Sequence, residues 1–211
     1  MLENKDICKK CGGRCCKKSG CDYSPSDFTD LSFNALLEKL NEGKISIVAA
    51  LRIEKLPNGS KYVNPFLYLR ARNLNRDIID LFSMKTTCSQ LTEIGCKYNF
   101  DERPSYGKNL VPKDNGVCYP LKNPNLILEE WDSYQKVLSR IVKRMTGLTV
   151  EQKLRQDIEN TVYNILIENF ENVDPREIID IRSCILELVQ LYPEEYKRAS
   201  MKSKQKVYTK V

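Results

Sequence analysis

Five of the nine cysteines of this chain fall within fourteen residues, at Cys8, Cys11, Cys15, Cys16 and Cys21, interleaved with lysine and glycine. Cys8 and Cys11 have the CxxC spacing that lets two thiolates from one tight turn take adjacent corners of a metal site, and Gly12, Gly13 and Gly20 let the backbone bend sharply around it. The vicinal pair Cys15-Cys16 points its side chains in different directions. Such a pair serves two metals, or bridges two sites, more readily than it chelates one ion. A second group follows some seventy residues later, at Cys88 and Cys96, with Cys118 beyond it in Gly116-Val117-Cys118. Joining the two groups would clamp everything between them to one site.

Histidine is absent, which removes both the usual general base and the commonest nitrogen ligand. A Ser-His or Cys-His hydrolase is excluded, and a metal would have to be held by sulfur, carboxylate, backbone or solvent. That chemistry leans towards zinc, an iron–sulfur cluster or Cu(I). Zinc is favoured over an iron–sulfur cluster because the spacing does not match the common bacterial ferredoxin run. The eight cysteines Cys8, Cys11, Cys15, Cys16, Cys21, Cys88, Cys96 and Cys118 divide into two four-coordinate sites, or two zinc ions bridged through the vicinal pair. Cys184 lies among Ile181, Ile185 and Leu188 and reads as an ordinary core residue.

The two cysteine groups resemble the YkgJ-like cysteine-cluster family of zinc- or iron-chelating proteins. Its CxxCxxxCC signature is matched at Cys8, Cys11, Cys15 and Cys16, and its second half at Cys88, Cys96, Tyr98, Arg103 and Pro104. The resemblance covers roughly residues 8 to 118 and implies a metal site with little defined chemistry. The family commonly has a cysteine three residues after Arg-Pro, where this chain has Gly107; Cys21 and Cys118 stand as its substitutes.

The flanking charges read more plainly. Asp22, Asp27, Asp101 and Glu102 could complete a coordination shell, but caps and surface charge are their commoner use. Arg14 could donate to sulfur or to a substrate anion, and Arg103 is expected to hydrogen-bond thiolates. Trp131 is expected in the core.

The elements that must position these residues come in two parts, read as a cysteine-cluster module at 1–124 and a helical region at 125–211 that could pack back on the module. The expected class is α+β: a metal-organised, cysteine-rich N-terminal module with a β-hairpin, followed by a mainly helical C-terminal part. Tyr23 to Phe28 looks like a helix start, and Ser32 to Asn41 carries Phe33, Leu36, Leu37 and Leu40 at helical spacing, with Gly43 to end it. Ile45 to Glu54 and Lys61 to Arg72 read as strands joined through Pro57-Asn58-Gly59-Ser60, with Pro65 keeping its strand near an edge. The segment from Asn75 to Met84 is expected to be helical. Arg103 to Pro124, rich in proline and glycine, reads as a long connection without a period, which metal ligation by Cys96 and Cys118 would hold.

From Leu126 the pattern predicts one helix to Met145, stopped at Gly147, and a second started by the capping box Thr149-Val150-Glu151-Gln152 and running to about Phe170. A third opens at Asp174 and ends or kinks at Pro193. The remaining stretch, Lys197 to Val211, is basic and reads as a solvated face.

At 211 residues with a formal charge of +6, the chain is long enough to bury a core, and eight metal-bound thiolates with two divalent ions would shift that charge by about −4. With no run of about eighteen apolar residues and no apolar leader, a cytoplasmic, non-membrane protein is expected. In a reducing compartment nine cysteines read as metal ligands or redox thiols more than as disulfides. The favoured function is a metal-binding protein whose helical part engages a protein or peptide partner. The alternative is a metal-dependent or iron–sulfur redox enzyme acting on a peptide or small molecule. A nucleic-acid-binding zinc module is less favoured, because the cysteine loops lack interleaved aromatics and a base-reading helix.

Overall fold

A computed structural model describes residues 10, 21–71, 77–82, 88, 90–93, 95–108, 110–112, 118–120, 126–168 and 185–208, with 95, 110–112, 118–120 and 206–208 as backbone only. The architecture is α+β, a long antiparallel hairpin set against helices.

Strands β1 (Ile45–Lys55) and β2 (Lys61–Ala71) pair from Ile45↔Ala71 to Lys55↔Lys61. The turn is built by Asn58 and Gly59: Gly59 takes φ +82°, a conformation side chains resist, while Asn58 Oδ1 accepts from both the backbone and the hydroxyl of Ser60. Burial is graded along the hairpin. Ile45 to Val48 and Phe66 to Leu69 are buried on both faces, whereas the end near the turn projects with Ile53, Leu56 and Tyr62 exposed. Pro65 lies opposite Leu51, on a strand whose outer side has room for a residue without an amide hydrogen.

The buried end is covered by helix α1 (Phe33–Asn41), which presents Leu36 and Leu40, and by three later helices. They are α3 (Leu126–Glu130), α4 (Gln135–Thr146) and α5 (Val150–Leu166). Leu138, Ile141 and Val142 recur on one face of α4, and Leu154, Ile158 and Val162 on one face of α5. All are buried in the same core as Ile47, Leu67 and Leu69. At roughly 1.5–3 kcal/mol for each fully buried large side chain, this shared core dominates the stability of the described fold. The expected capping box forms at Thr149 and Gln152, and Gly147 ends α4 in the left-handed conformation at φ +72°.

Several expectations are corrected. The stretch at Pro25–Asp27 is a single 3-10 turn capped by Ser24, and the chain is extended again before α1. Residues 77–82 are not helical. Ile79 forms a parallel bridge with Ile47, through Ile47 N–H to Ile78 O at 2.8 Å and Asp80 N–H to Ile47 O at 3.0 Å, because β1 offers an open edge to satisfy this segment's backbone.

The long helix expected from Leu126 breaks at a 3-10 turn, Asp132–Tyr134. There the Gln135 N–H bonds Asp132 O, while the Gln135 side chain takes the Trp131 carbonyl that the helix would have used. The connection after Arg103 contains helix α2 (Ser105–Lys108) and an antiparallel pair, β5 (Leu110–Pro112) with β6 (Cys118–Pro120). Helix α5 ends at Leu166, short of Phe170, with Glu168 at φ +55°.

Most of the third expected helix lies outside the described residues. Residues 185–191 are helical, the chain breaks at Tyr192, and α6 (Pro193–Tyr208) starts anew with proline in its first turn, where a missing amide hydrogen costs nothing. Residues 197–208 of the basic stretch lie in this helix. Arg198 and Lys202 pair with Glu159 of α5, and Arg155 of α5 pairs with Glu195, so α5 and α6 are joined by charge as well as packing. Among the described residues no helix is long and apolar enough to cross a membrane.

Candidate metal centre

The described part of the cysteine site is built on the inner end of β2. Cys21 runs beside that strand as a short third one. Its carbonyl accepts from Ala71 N–H at 2.8 Å, Tyr23 N–H reaches Leu69 O at 2.9 Å, and Asp22 bridges to Arg70. Cys21, Ala71 and Cys88 form one small buried cluster, with Tyr23 and Leu91 packed against it.

Cys88 sits in a tight turn. Leu91 N–H bonds the Cys88 carbonyl at 3.2 Å, and Gln90 N–H points at Cys88 Sγ at 3.4 Å. A backbone donor aimed at sulfur favours a thiolate over a thiol. Immediately after it, β3 (Leu91–Thr92) and β4 (Gly95–Cys96) fold as a minimal hairpin that places half-buried Cys96 opposite Leu91. Lys97 N–H closes the unit onto Gln90 O at 2.7 Å.

Two tyrosines face the sulfurs. Tyr23 and Tyr98 act on each other as neighbours. Burial first, then Tyr98, then Cys88 and Cys21 push Tyr23 far above the ordinary tyrosine range. Tyr98 is raised as well, chiefly by burial, with Cys88 and Cys96 adding to it.

Three of the four carboxylates near the cysteines are occupied elsewhere. Asp22 pairs with Arg70, which also donates to the Tyr68 hydroxyl at 2.7 Å. Asp27 closes the capping box on Ser24 and accepts from the Ser105 amide at 2.9 Å and the Ser105 hydroxyl at 2.5 Å. Glu102 accepts from the Asn99 amide, and Asp101 is exposed in the same 3-10 turn. Arg103 donates to the Tyr98 carbonyl at 3.4 Å. Trp131 is fully buried, its indole N–H on the Tyr23 carbonyl at 2.7 Å.

Of the sequence-predicted ligands, Cys21 and Cys88 are brought together and Cys96 stands nearby. Cys118 is placed on β6 as backbone only, and Cys8, Cys11, Cys15 and Cys16, with Arg14 and Cys184, lie outside the described residues. Among the described residues no three cysteine, aspartate or glutamate side chains converge as a metal-binding group. What is described fits part of a thiolate site: two sulfurs in one buried cluster, one of them already receiving a backbone hydrogen bond.

Sequence reasoning named Gly107 only as the place of a family cysteine, and it missed Ser105. Gly107, in α2, comes so close to Cys21 that a Cβ there would lie 2.9 Å from Cys21 Sγ. Ser105 ties that helix to Asp27. The chain matches no family model, no curated protein and no solved structure.

Proposed function

We propose that this is a metal-binding protein that holds zinc, or in second place an iron–sulfur cluster, through thiolates contributed by Cys8, Cys11, Cys15, Cys16, Cys21, Cys88, Cys96 and Cys118. The turn at Cys88 carries the reading: its sulfur is buried in one cluster with Cys21 and receives the Gln90 amide, an arrangement suited to an anionic sulfur. An anionic sulfur in an apolar cluster calls for a cation. When bound, the metal would supply the cross-link between the two cysteine groups, and site energies on the order of 10 kcal/mol would make it a principal stabiliser of the N-terminal module.

The test is metal content by plasma mass spectrometry with a visible spectrum, on protein purified without oxygen and without added metal. About two zinc per chain, without colour, fits the favoured form, on the tetrahedral four-thiolate stoichiometry. Iron with inorganic sulfide and a brown colour selects the second. Cys11→Ser, Cys15→Ser and Cys88→Ser are expected to lose metal and solubility together, and Cys184→Ser to keep both. Equal metal in all four would remove the ligand assignment, and a chain that neither carries nor takes up either metal would remove the function.

A further inference from the structure

The two edges of the hairpin are finished differently. On β2 the outward backbone groups of Leu67, Leu69 and Ala71 meet Gln135, Tyr23 and Cys21, and Pro65 has no amide hydrogen to offer. On β1 the outward groups belong to Ile47 and the alternate residues Ala49, Leu51, Ile53 and Lys55. Ile47 is taken by Ile78 and Asp80, and among the described residues no backbone partner stands on that edge beyond it. The open run has neither proline nor bulge, and Ile53 is 38% exposed. An unguarded edge of this kind is a template for another strand.

The charges on β1 select which strand fits. Arg52 and Glu54 share one face. Glu54 accepts from the Tyr62 hydroxyl and from Asn64 Nδ2, the latter at 2.9 Å. Arg52 is exposed, lies 5.0 Å over the Phe66 ring and makes no ion pair among the described residues. Three antiparallel registers would bring outward groups of β1 against those of a second copy. Centred on Leu51, Glu54 would face the partner's Val48; centred on Arg52, that cation would face itself. Centred on Ile53, Arg52 faces the partner's Glu54 and Glu54 faces the partner's Arg52, at the close Cα spacing of about 4.5 Å.

We propose that the open edge of β1 is a self-association surface for a second copy of this chain, β1 against β1 antiparallel about Ile53. Leu51, Ile53 and Lys55 then exchange backbone hydrogen bonds across the two-fold axis, and the exposed Ile53 side chains pack on each other. The surface is independent of the cysteine site, which lies at the other end of the hairpin.

The full chain is followed by sedimentation velocity from about 5 to about 500 µM, a span suited to a small interface, with a thiol reductant present so that no dimer is a disulfide one. The parent is expected to pass from monomer to dimer, with amide exchange at Leu51 and Ile53 slowing as concentration rises. Arg52→Glu and Glu54→Arg each set like charges against each other twice, and should weaken the dimer about tenfold while keeping the parent's circular dichroism. An equimolar mixture of the two variants restores both opposite-charge pairs and should dimerise more tightly than either alone. Ile53→Pro removes an amide hydrogen that no bond within the chain uses, and should abolish the dimer even if Glu54→Arg fails to fold. A parent that stays monomeric throughout would overturn the proposal. So would a dimer that Arg52→Glu and Ile53→Pro leave intact, or a mixture no tighter than its components.

Discussion

The side-chain amide of Gln135 does for Leu67 what a neighbouring strand would do. Its Oε1 accepts from Leu67 N–H at 2.9 Å and its Nε2 donates to Leu67 O at 2.8 Å, at the middle of the outer edge of β2. Both backbone groups of Leu67, which point away from β1, are thus satisfied although the sheet has two strands, and α4 is fixed in register with the hairpin. Cys21 and Tyr23 serve the same edge two residues further along, so the edge that carries the cysteine site is the edge that Gln135 closes.

Gln135→Ala leaves the Leu67 amide and carbonyl without these partners and is expected to cost about 2 kcal/mol in urea unfolding. Gln135→Glu should cost at least as much, because a carboxylate can accept from Leu67 N–H but is set against the Leu67 and Trp131 carbonyls. A loss below about 0.5 kcal/mol for the alanine variant, the range of an ordinary surface change, would show that the edge is satisfied without the side chain.

The hairpin, α1 and the start of α5 were legible because each is specified locally. Asn58-Gly59 supplies its own turn, Leu36 and Leu40 their own face, and Thr149 with Gln152 their own cap. Residues 77–82 were misread because Ile78, Ile79, Leu81 and Phe82 fit a buried extended segment as well as a helix, and the open edge of β1 decides between them. The break at Trp131 depends on the Gln135 side chain competing for a helix carbonyl, which no apolar period records. At the site, the sequence picks out the cysteines and position 107, but not that Gly107 packs directly against the Cys21 side chain, since that contact joins segments far apart in the chain.

Asp27 links the first turn of the described chain to α2 through Ser105. Asp27→Ala removes the acceptor for the Ser24 and Ser105 amides and for the Ser105 hydroxyl, and is expected to cost about 2 kcal/mol. Its distinguishing effect is local. Amide exchange at Ser105 should rise more than exchange in α4, because α2 loses its tie to the turn at Ser24. Uniform acceleration of exchange through α4 and α5 would mean that Asp27 supports the fold generally and not this contact.

Trp131, the chain's one tryptophan, is fully buried and bonded to the carbonyl of Tyr23, two residues from Cys21. Its emission should therefore be blue-shifted in the folded protein and, on the proposed metal-binding reading, should change in intensity or wavelength when a chelator is added at neutral pH. Trp131→Phe loses the 2.7 Å hydrogen bond and part of the packing with Phe28 and Tyr134, for a cost of about 2–3 kcal/mol in denaturant unfolding. Emission that is identical with and without metal would mean that Tyr23 does not move with the occupancy of the site.

Asp157, on the buried face of α5, accepts from Leu81 N–H at 2.9 Å and pairs with Lys153, so it fixes residues 77–82 to the helix layer. Burial pushes its carboxyl up to about 6, and Asp80 adds to the rise, against the opposing pull of Lys153 and the Leu81 amide. In the unfolded chain an aspartate titrates near 3.9. Between about pH 4 and pH 6 the folded protein therefore binds more protons at this residue than the unfolded one, and its contribution to stability is full at the acid end and is lost as pH rises through 6. The two-unit difference sets an upper limit of roughly 3 kcal/mol. Asp157→Asn keeps an acceptor for Leu81 N–H but cannot ionise. The stability of the parent minus that of the variant, measured by urea unfolding at steps from pH 4 to pH 7.5, should fall by up to that amount and flatten above pH 7. A difference that instead grows with pH would show that attraction to Lys153 outweighs burial, and that the pair is held as ions throughout.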